Sequence, residues 1–114
     1  MKIAIPTSDK ETVFSKTGQT KEFAICEIID GSYEFVEFRN NPFQADGDSH
    51  SEEHKHKALL ELLKDCDALL VKATGELLRA EFWDADMPIY KTNEENLKEA
   101  ITLFTLNMVG HKRI

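Results

Sequence analysis

The chain predicts an α/β fold of three αβα layers: a mixed five-stranded sheet in the order 3-2-1-4-5, covered by helices on both faces. Three observations carry this. Residues 22 to 30 place Phe23, Ile25 and Ile29 on one side and Ala24, Cys26 and Ile28 on the other, so this strand is apolar on both faces and belongs inside a covered sheet. Asp30-Gly31-Ser32 is a tight-turn signal that joins it to a second strand, Tyr33 to Arg39, as a β-hairpin. Ala68-Leu69-Leu70-Val71 is a short, continuous apolar run between two helical patterns, as a buried parallel strand requires.

The elements follow in order. Lys2-Ile3-Ala4-Ile5 reads as a strand that Pro6 ends, because proline has no N–H for the ladder, and a polar loop runs from Thr7 to Lys21. After the hairpin, Asn40-Asn41-Pro42 closes the third strand and residues 43 to 51 form a polar loop. Ser49 and Glu52 have capping-box spacing for a helix reaching about Lys64, with Leu59, Leu60, Leu62, Leu63 and Cys66 as its apolar stripe. A second helix, Glu76 to Asp84, packs Leu77, Leu78 and Phe82, and the aromatic residues Phe82, Trp83 and Phe104 are expected in the core. Pro88-Ile89-Tyr90 is the last strand, and Asn93 caps a helix from Glu94 to about Met108 with Leu97, Ala100, Ile101 and Phe104 inward. The order βββαβαβα has no repeat and no linker, so residues 1 to 114 are expected to form one domain.

Composition excludes several functional classes. Of 114 residues, 41% are hydrophobic and 31% charged, with five Gly and three Pro, a balance that disordered and collagen-like chains lack. A formal charge of −7 repels phosphate backbones and anionic lipid, so neither nucleic acid nor membrane is expected as a partner. The run from Ala100 to His111 carries no formal charge but falls short of the ~20 apolar residues that span a bilayer. The opening apolar stretch stops at Pro6, unlike a signal peptide, and a cytoplasmic location is expected. Cys26 and Cys66 lie far apart without CxxC spacing, so both read as small buried hydrophobes in a reducing compartment.

A hairpin followed by helical crossovers makes the last two strands parallel to the first and third. Four loops, residues 7 to 21, 40 to 50, 72 to 76 and 91 to 94, then share one sheet edge, at the carboxyl ends where open α/β sheets place ligands.

On these residues the chain resembles the dinitrogenase iron-molybdenum cofactor-binding family, the small NifX-type proteins with a ribonuclease-H-like fold. The resemblance rests on Lys2-Ile3-Ala4-Ile5-Pro6-Thr7, on Val13-Phe14-Ser15-Lys16-Thr17-Gly18-Gln19 followed by Phe23, on Asp67-Ala68-Leu69-Leu70-Val71 before Thr74-Gly75, and on Met87-Pro88-Ile89-Tyr90. It implies a non-enzymatic carrier of an iron-sulfur or iron-molybdenum type cluster, or its precursor, working beside cofactor-assembly proteins. Where the family's first loop usually reads His-Phe-Gly-Arg, this chain has Lys16-Thr17-Gly18-Gln19. The usually glycine-rich loop after the fourth strand keeps only Gly75 between Thr74 and Glu76.

Two candidate sites follow. Gly18 permits close backbone approach to a ligand and Lys16 supplies positive charge, while free N–H groups beside Thr74-Gly75, where a helix starts, can hold an anion. Lys16, Gly18, Gln19, Thr74 and Gly75 are therefore the expected binding residues for a cluster or small anionic ligand. The second site is the segment from Asp46 to His56, which holds three of the four histidines. His50 and His54 are four apart, the spacing that lets two imidazoles meet one divalent metal, with Asp48 completing the shell. His56 lies nearer the apolar stripe, roughly 160° from His54, and is expected outside that pair. Plain turns, helix capping and a solvated helix start explain the same residues without any ligand.

Two other functional classes stay open: a regulatory or interaction module that has kept the fold and lost the cofactor, and a divalent-metal hydrolase using Asp9 beyond the first strand. Against the hydrolase, no set of carboxylates on adjacent strands and no nucleophile or phosphate-loop motif is present in the sequence.

Overall fold

The computed structural model describes residues 1 to 42 and 52 to 106, with the backbone alone for 52 to 55. Strands β1 (Lys2–Thr7), β2 (Glu22–Ile29) and β3 (Ser32–Asn40) precede helix α1 (Glu52–Leu62). β4 (Ala68–Val71), α2 (Glu76–Asp84), β5 (Ile89–Lys91) and α3 (Leu97–Leu106) follow. The sheet has five strands in the order β3-β2-β1-β4-β5, the order the sequence predicts. β1 pairs antiparallel with β2 and parallel with β4, and β4 pairs parallel with β5.

Strand parity divides the core as expected. Ala24, Cys26 and Ile28 join Ile3, Ile5 and Leu70 on the face that α3 covers with Leu97, Ile101 and Phe104. Phe23 and Ile25 join Ala4, Leu69 and Val71 on the opposite face, under Leu59 and Leu63 of α1 and Leu78 and Phe82 of α2. The hairpin turn holds Asp30 and Gly31 at φ of 50° and 79°, the left-handed pair that suits the strands' twist. Opposite the Ile25–Cys26 step the register shifts, so Val36 of β3 is an extra, bulged residue.

Five details depart from the sequence reading. β1 continues through Pro6, because the Pro6 carbonyl accepts from the Phe14 N–H at 2.9 Å; the missing proline donor faces away from β2 and costs that ladder nothing. Helix α3 starts at Leu97 and its cap is Asn96, whose Oδ1 accepts the Glu99 N–H at 3.0 Å, rather than Asn93. The cause is tertiary: Val13 N–H donates to the Glu95 carbonyl and Leu97 N–H to the Glu11 carbonyl, with Thr12 bridging Asn96. Pairing with the first loop keeps this segment out of the helix, and residues near Met108 lie outside the described region. Trp83 is 56% exposed and Leu77 61% exposed, against the expectation that both pack inward. Leu78 and Phe82, four apart, set the buried face of α2, and a neighbour one residue away is turned by about 100°. Ile29 is likewise exposed, at the end of the hairpin beyond the helices.

A polar clamp fixes the end of α1 to the sheet. Arg39 of β3 donates to the Leu62 carbonyl at 2.8 Å, to both oxygens of Asp65 at 2.7 and 3.1 Å, and to Glu37 at 3.0 Å. Lys2 reaches the same Asp65 at 3.3 Å. Hydrogen bonds from Arg39 hold the carboxyls of Asp65 and Glu37 below the usual carboxylate range, and the two carboxylates raise Arg39 in turn. Among the described residues no helix is long and apolar enough to cross a membrane.

Candidate functional site

At the carboxyl ends of β1 and β4, where the sequence places the site, lies an open cavity of about 490 Å³. Three segments line it: residues 15 to 19, residues 73 to 78, and His56 of α1. The first is shaped by local chemistry. Phe14 folds back onto Pro6, and Thr17–Gln19 then makes one 3₁₀ turn, with the Gln19 N–H donating to the Lys16 carbonyl at 2.9 Å. Thr17 is buried, and its hydroxyl donates to the Ala73 carbonyl at 2.6 Å, which ties this turn to the loop after β4. The buried Asn41 side chain donates to the Thr20 carbonyl at 2.8 Å and anchors the turn's far end.

The second segment opens α2. Gly75 is its N-cap, with extended backbone and no side-chain capping bond, so the N–H groups of the first turn lack the partner that a Ser or Asp would give. Glu76 supplies a carboxylate in that turn. A Cβ on Gly75 would meet nothing within 4 Å, and one on Gly18 would meet only Leu78 Cδ1, at an ordinary 3.7 Å. The protein's own packing therefore demands neither glycine, and both leave open backbone at the cavity wall.

The structure thus brings together all five expected binding residues, Lys16, Gly18, Gln19, Thr74 and Gly75. Among the described residues Lys16 makes no ion pair. His50 and Asp48 lie outside the described residues, and of His54 only the backbone, within α1, is described. Among the described residues no group of three or more His, Cys, Asp or Glu could hold a metal ion.

His56 is the residue the sequence reading set aside. It is 8% exposed, it lines the cavity, and its Nδ1 is buried without a hydrogen-bond partner among the described residues. Its spacing from Leu59 and Leu63 marks it as belonging to the buried face. Only the arrival of the two distant loops makes that face part of a site.

The cysteines are elsewhere. Cys26 sits under α3 and Cys66 at the foot of α1, and burial pushes their thiols up to about 12 and about 11. No thiolate lines the cavity. Asp9 is occupied within its own loop: its Oδ1 accepts the N–H groups of Glu11 and Thr12 at 2.9 and 2.7 Å, which lowers its carboxyl to about 2. The charged and ligating groups around the cavity are the Lys16 ammonium, the Glu76 carboxylate, backbone donors at a helix start and the His56 imidazole.

Solved structures show the same fold. A protein provisionally described as a dinitrogenase, from Methanocaldococcus jannaschii, superposes with a TM-score of 0.72 at 19% identity, over 100% of this chain and 94% of that one. The apo form of the orange protein from Desulfovibrio gigas gives 0.75 at 15% identity, over 99% and 92%. A Thermotoga protein provisionally described as NifB gives 0.65 at 18%, over 91% and 86%. At these identities the likeness concerns the fold alone. No curated protein matches the chain. A family model, dinitrogenase iron-molybdenum cofactor, matches residues 1 to 107, and the chain belongs to that family.

Proposed function

We propose that the chain is a carrier that holds an anionic metal cluster of the iron-molybdenum cofactor type, or its precursor, in the cavity between Lys16, Gly75 and His56, and passes it on unchanged. The observation that carries this is the meeting, in one open cavity, of an uncapped helix start with an ammonium that makes no ion pair and a buried imidazole whose Nδ1 has no hydrogen-bond partner among the described residues. Its volume lies within the range of about 300–1,000 Å³ typical of cofactor sites. Imidazole ligates iron, and N–H donors together with Lys16 offset cluster charge without a thiolate. Among the described residues no hydroxyl in the cavity is hydrogen-bonded to His56 as a nucleophile would be to its base, which suits carriage rather than catalysis. The partners implied are cofactor-assembly proteins, and two free, buried cysteines suit a reducing cytoplasm.

Anaerobic reconstitution with iron, sulfide and molybdate, followed by desalting, elemental analysis and visible absorbance, tests the reading. Retention of metal and sulfide in stoichiometric amount by the wild type, with at least tenfold less in His56→Ala, is the expected result. Equal retention in both proteins would refute the site, and none in either would refute the carrier and favour an interaction module. That second reading has one specific support, the Glu76 carboxylate at the cavity's edge, which repels an anionic cargo. A parallel Zn²⁺ titration of His50→Ala and His54→Ala tests the separate two-histidine site with Asp48; wild-type affinity in both variants would remove it.

A further inference from the structure

We propose that the cavity is also a site for a free tetrahedral oxyanion of charge −2, of the sulfate, hydrogen phosphate or molybdate kind, seated between Lys16 and the first turn of α2. Four features from three segments converge there. Helix α2 has nine residues and starts without a side-chain cap, so its leading N–H groups have no acceptor among the described residues, at the end where the helix dipole is positive. Gly75 leaves open space where a side chain would stand, which lets an ion approach the backbone. Lys16 lines the same cavity and makes no ion pair among the described residues. His56 is more than nine-tenths buried and lines the cavity from the third segment, and among the described residues its Nδ1 lacks the hydrogen bond that buried imidazoles ordinarily make.

A tetrahedral oxyanion answers these features because it offers acceptors in several directions at once. A planar monoanion such as nitrate has fewer acceptors and half the charge. Glu76 is the opposing group: its carboxylate already sits in the first turn of α2 and competes for the same positive end. That opposition gives the proposal a signature with two signs. Removing the charge of Lys16 should weaken the ion, and removing the charge of Glu76 should strengthen it. The site needs neither iron nor sulfide, so it stands independently of the cluster.

The test is calorimetric titration of the full chain with sodium molybdate, sulfate and phosphate, and with nitrate as control, at fixed ionic strength. Saturable binding of one dianion per chain is expected, with nitrate at least tenfold weaker; the tightest of the three oxyanions identifies the ion. Lys16→Gln should bind about fivefold more weakly and Glu76→Gln about threefold more tightly. Both positions are on the surface, and thermal melts of the variants show whether each keeps the fold. No saturable binding, nitrate binding equal to the dianions, or wild-type affinity in both folded variants overturns the proposal. Because no iron or sulfide is added, such a failure leaves the outcome of cluster reconstitution separate.

Discussion

Helix α1 touches two polar regions that use polar groups in opposite ways. At its end, Arg39, Asp65, Glu37 and Lys2 form a closed set in which each charge meets an opposite charge at hydrogen-bond distance. At His56 the same helix borders a cavity where, among the described residues, an imidazole nitrogen has no hydrogen-bond partner, an ammonium makes no ion pair and a helix starts without a side-chain cap. A polar group paired inside the protein stabilises the fold and has nothing left for a ligand. A polar group left unpaired costs stability and is free to bind. The clamp's polar groups are spent on the fold and the cavity's are not, and substitutions should separate the two regions.

The largest effect should come from breaking both regions together. Phe82 is fully buried and seats α2, whose start forms one wall of the cavity, so Phe82→Ala should cost about 3–5 kcal/mol by chemical denaturation and abolish ligand retention as well. Arg39→Ala should cost about 1–2 kcal/mol, a modest figure because Asp65 is 44% exposed and screened, while leaving oxyanion and cluster binding unchanged. It should also alter the acid limb of stability. Asp65 and Glu37 have lowered folded-state pKa values, so their contribution is present above the ordinary carboxylate range and lost as pH falls below about 4. In Arg39→Ala that loss should shrink, as melts between pH 3 and 6 will show.

The cysteines belong to neither region. Their folded-state thiols are raised, so the stability they contribute is present below the ordinary thiol pKa and is lost as pH rises from about 8.5 toward 11 and 12. Labelling of Cys26 and Cys66 by a thiol reagent at pH 7.5 should be slow in the native chain and rapid in denaturant; fast native labelling would contradict their burial. The smallest stability change should come from His56→Leu. An apolar side chain in line with Leu59 and Leu63 removes the unpaired nitrogen, so stability should stay within about 1 kcal/mol of wild type or rise, while ligand binding falls at least tenfold. A large loss of stability would mean that His56 is part of the scaffold.

The sheet was legible in the sequence because its evidence is local and periodic. The two-sided alternation of residues 22 to 30, the Asp30-Gly31 turn and the run Ala68 to Val71 each determine an element, and strand parity sorts Phe23 from Ala24 without knowledge of the helices. Errors arose where a distant segment decides. Asn93 and Asn96 both suit a helix cap, and the choice falls to Glu11 and Val13, which come from the other end of the chain. Trp83 differs: its hydrophobicity does not decide its burial, because the spacing of Leu78 and Phe82 fixes the inward direction of α2. That Lys16, Gly18, Thr74 and Gly75 would meet was legible from turn and helix-start chemistry together with the shared sheet edge, and Gln19 from the family's first-loop motif. His56 was legible as a buried-face residue, and its place in the cavity required the loops to be assembled in space.

The hydrogen bond from Thr17 to the Ala73 carbonyl joins residues 56 positions apart, and it has a consequence for how the protein comes into being. During synthesis the hairpin of β2 and β3 can form beside β1 well before β4 and α2 emerge, since its contacts are close in sequence. The binding cavity has no such early form. One wall comes from the first fifth of the chain and another from its last half, and closing so long a loop is worthwhile only once β4 has docked beside β1. A nascent chain therefore lacks this cavity until β4 and α2 have emerged and docked on β1.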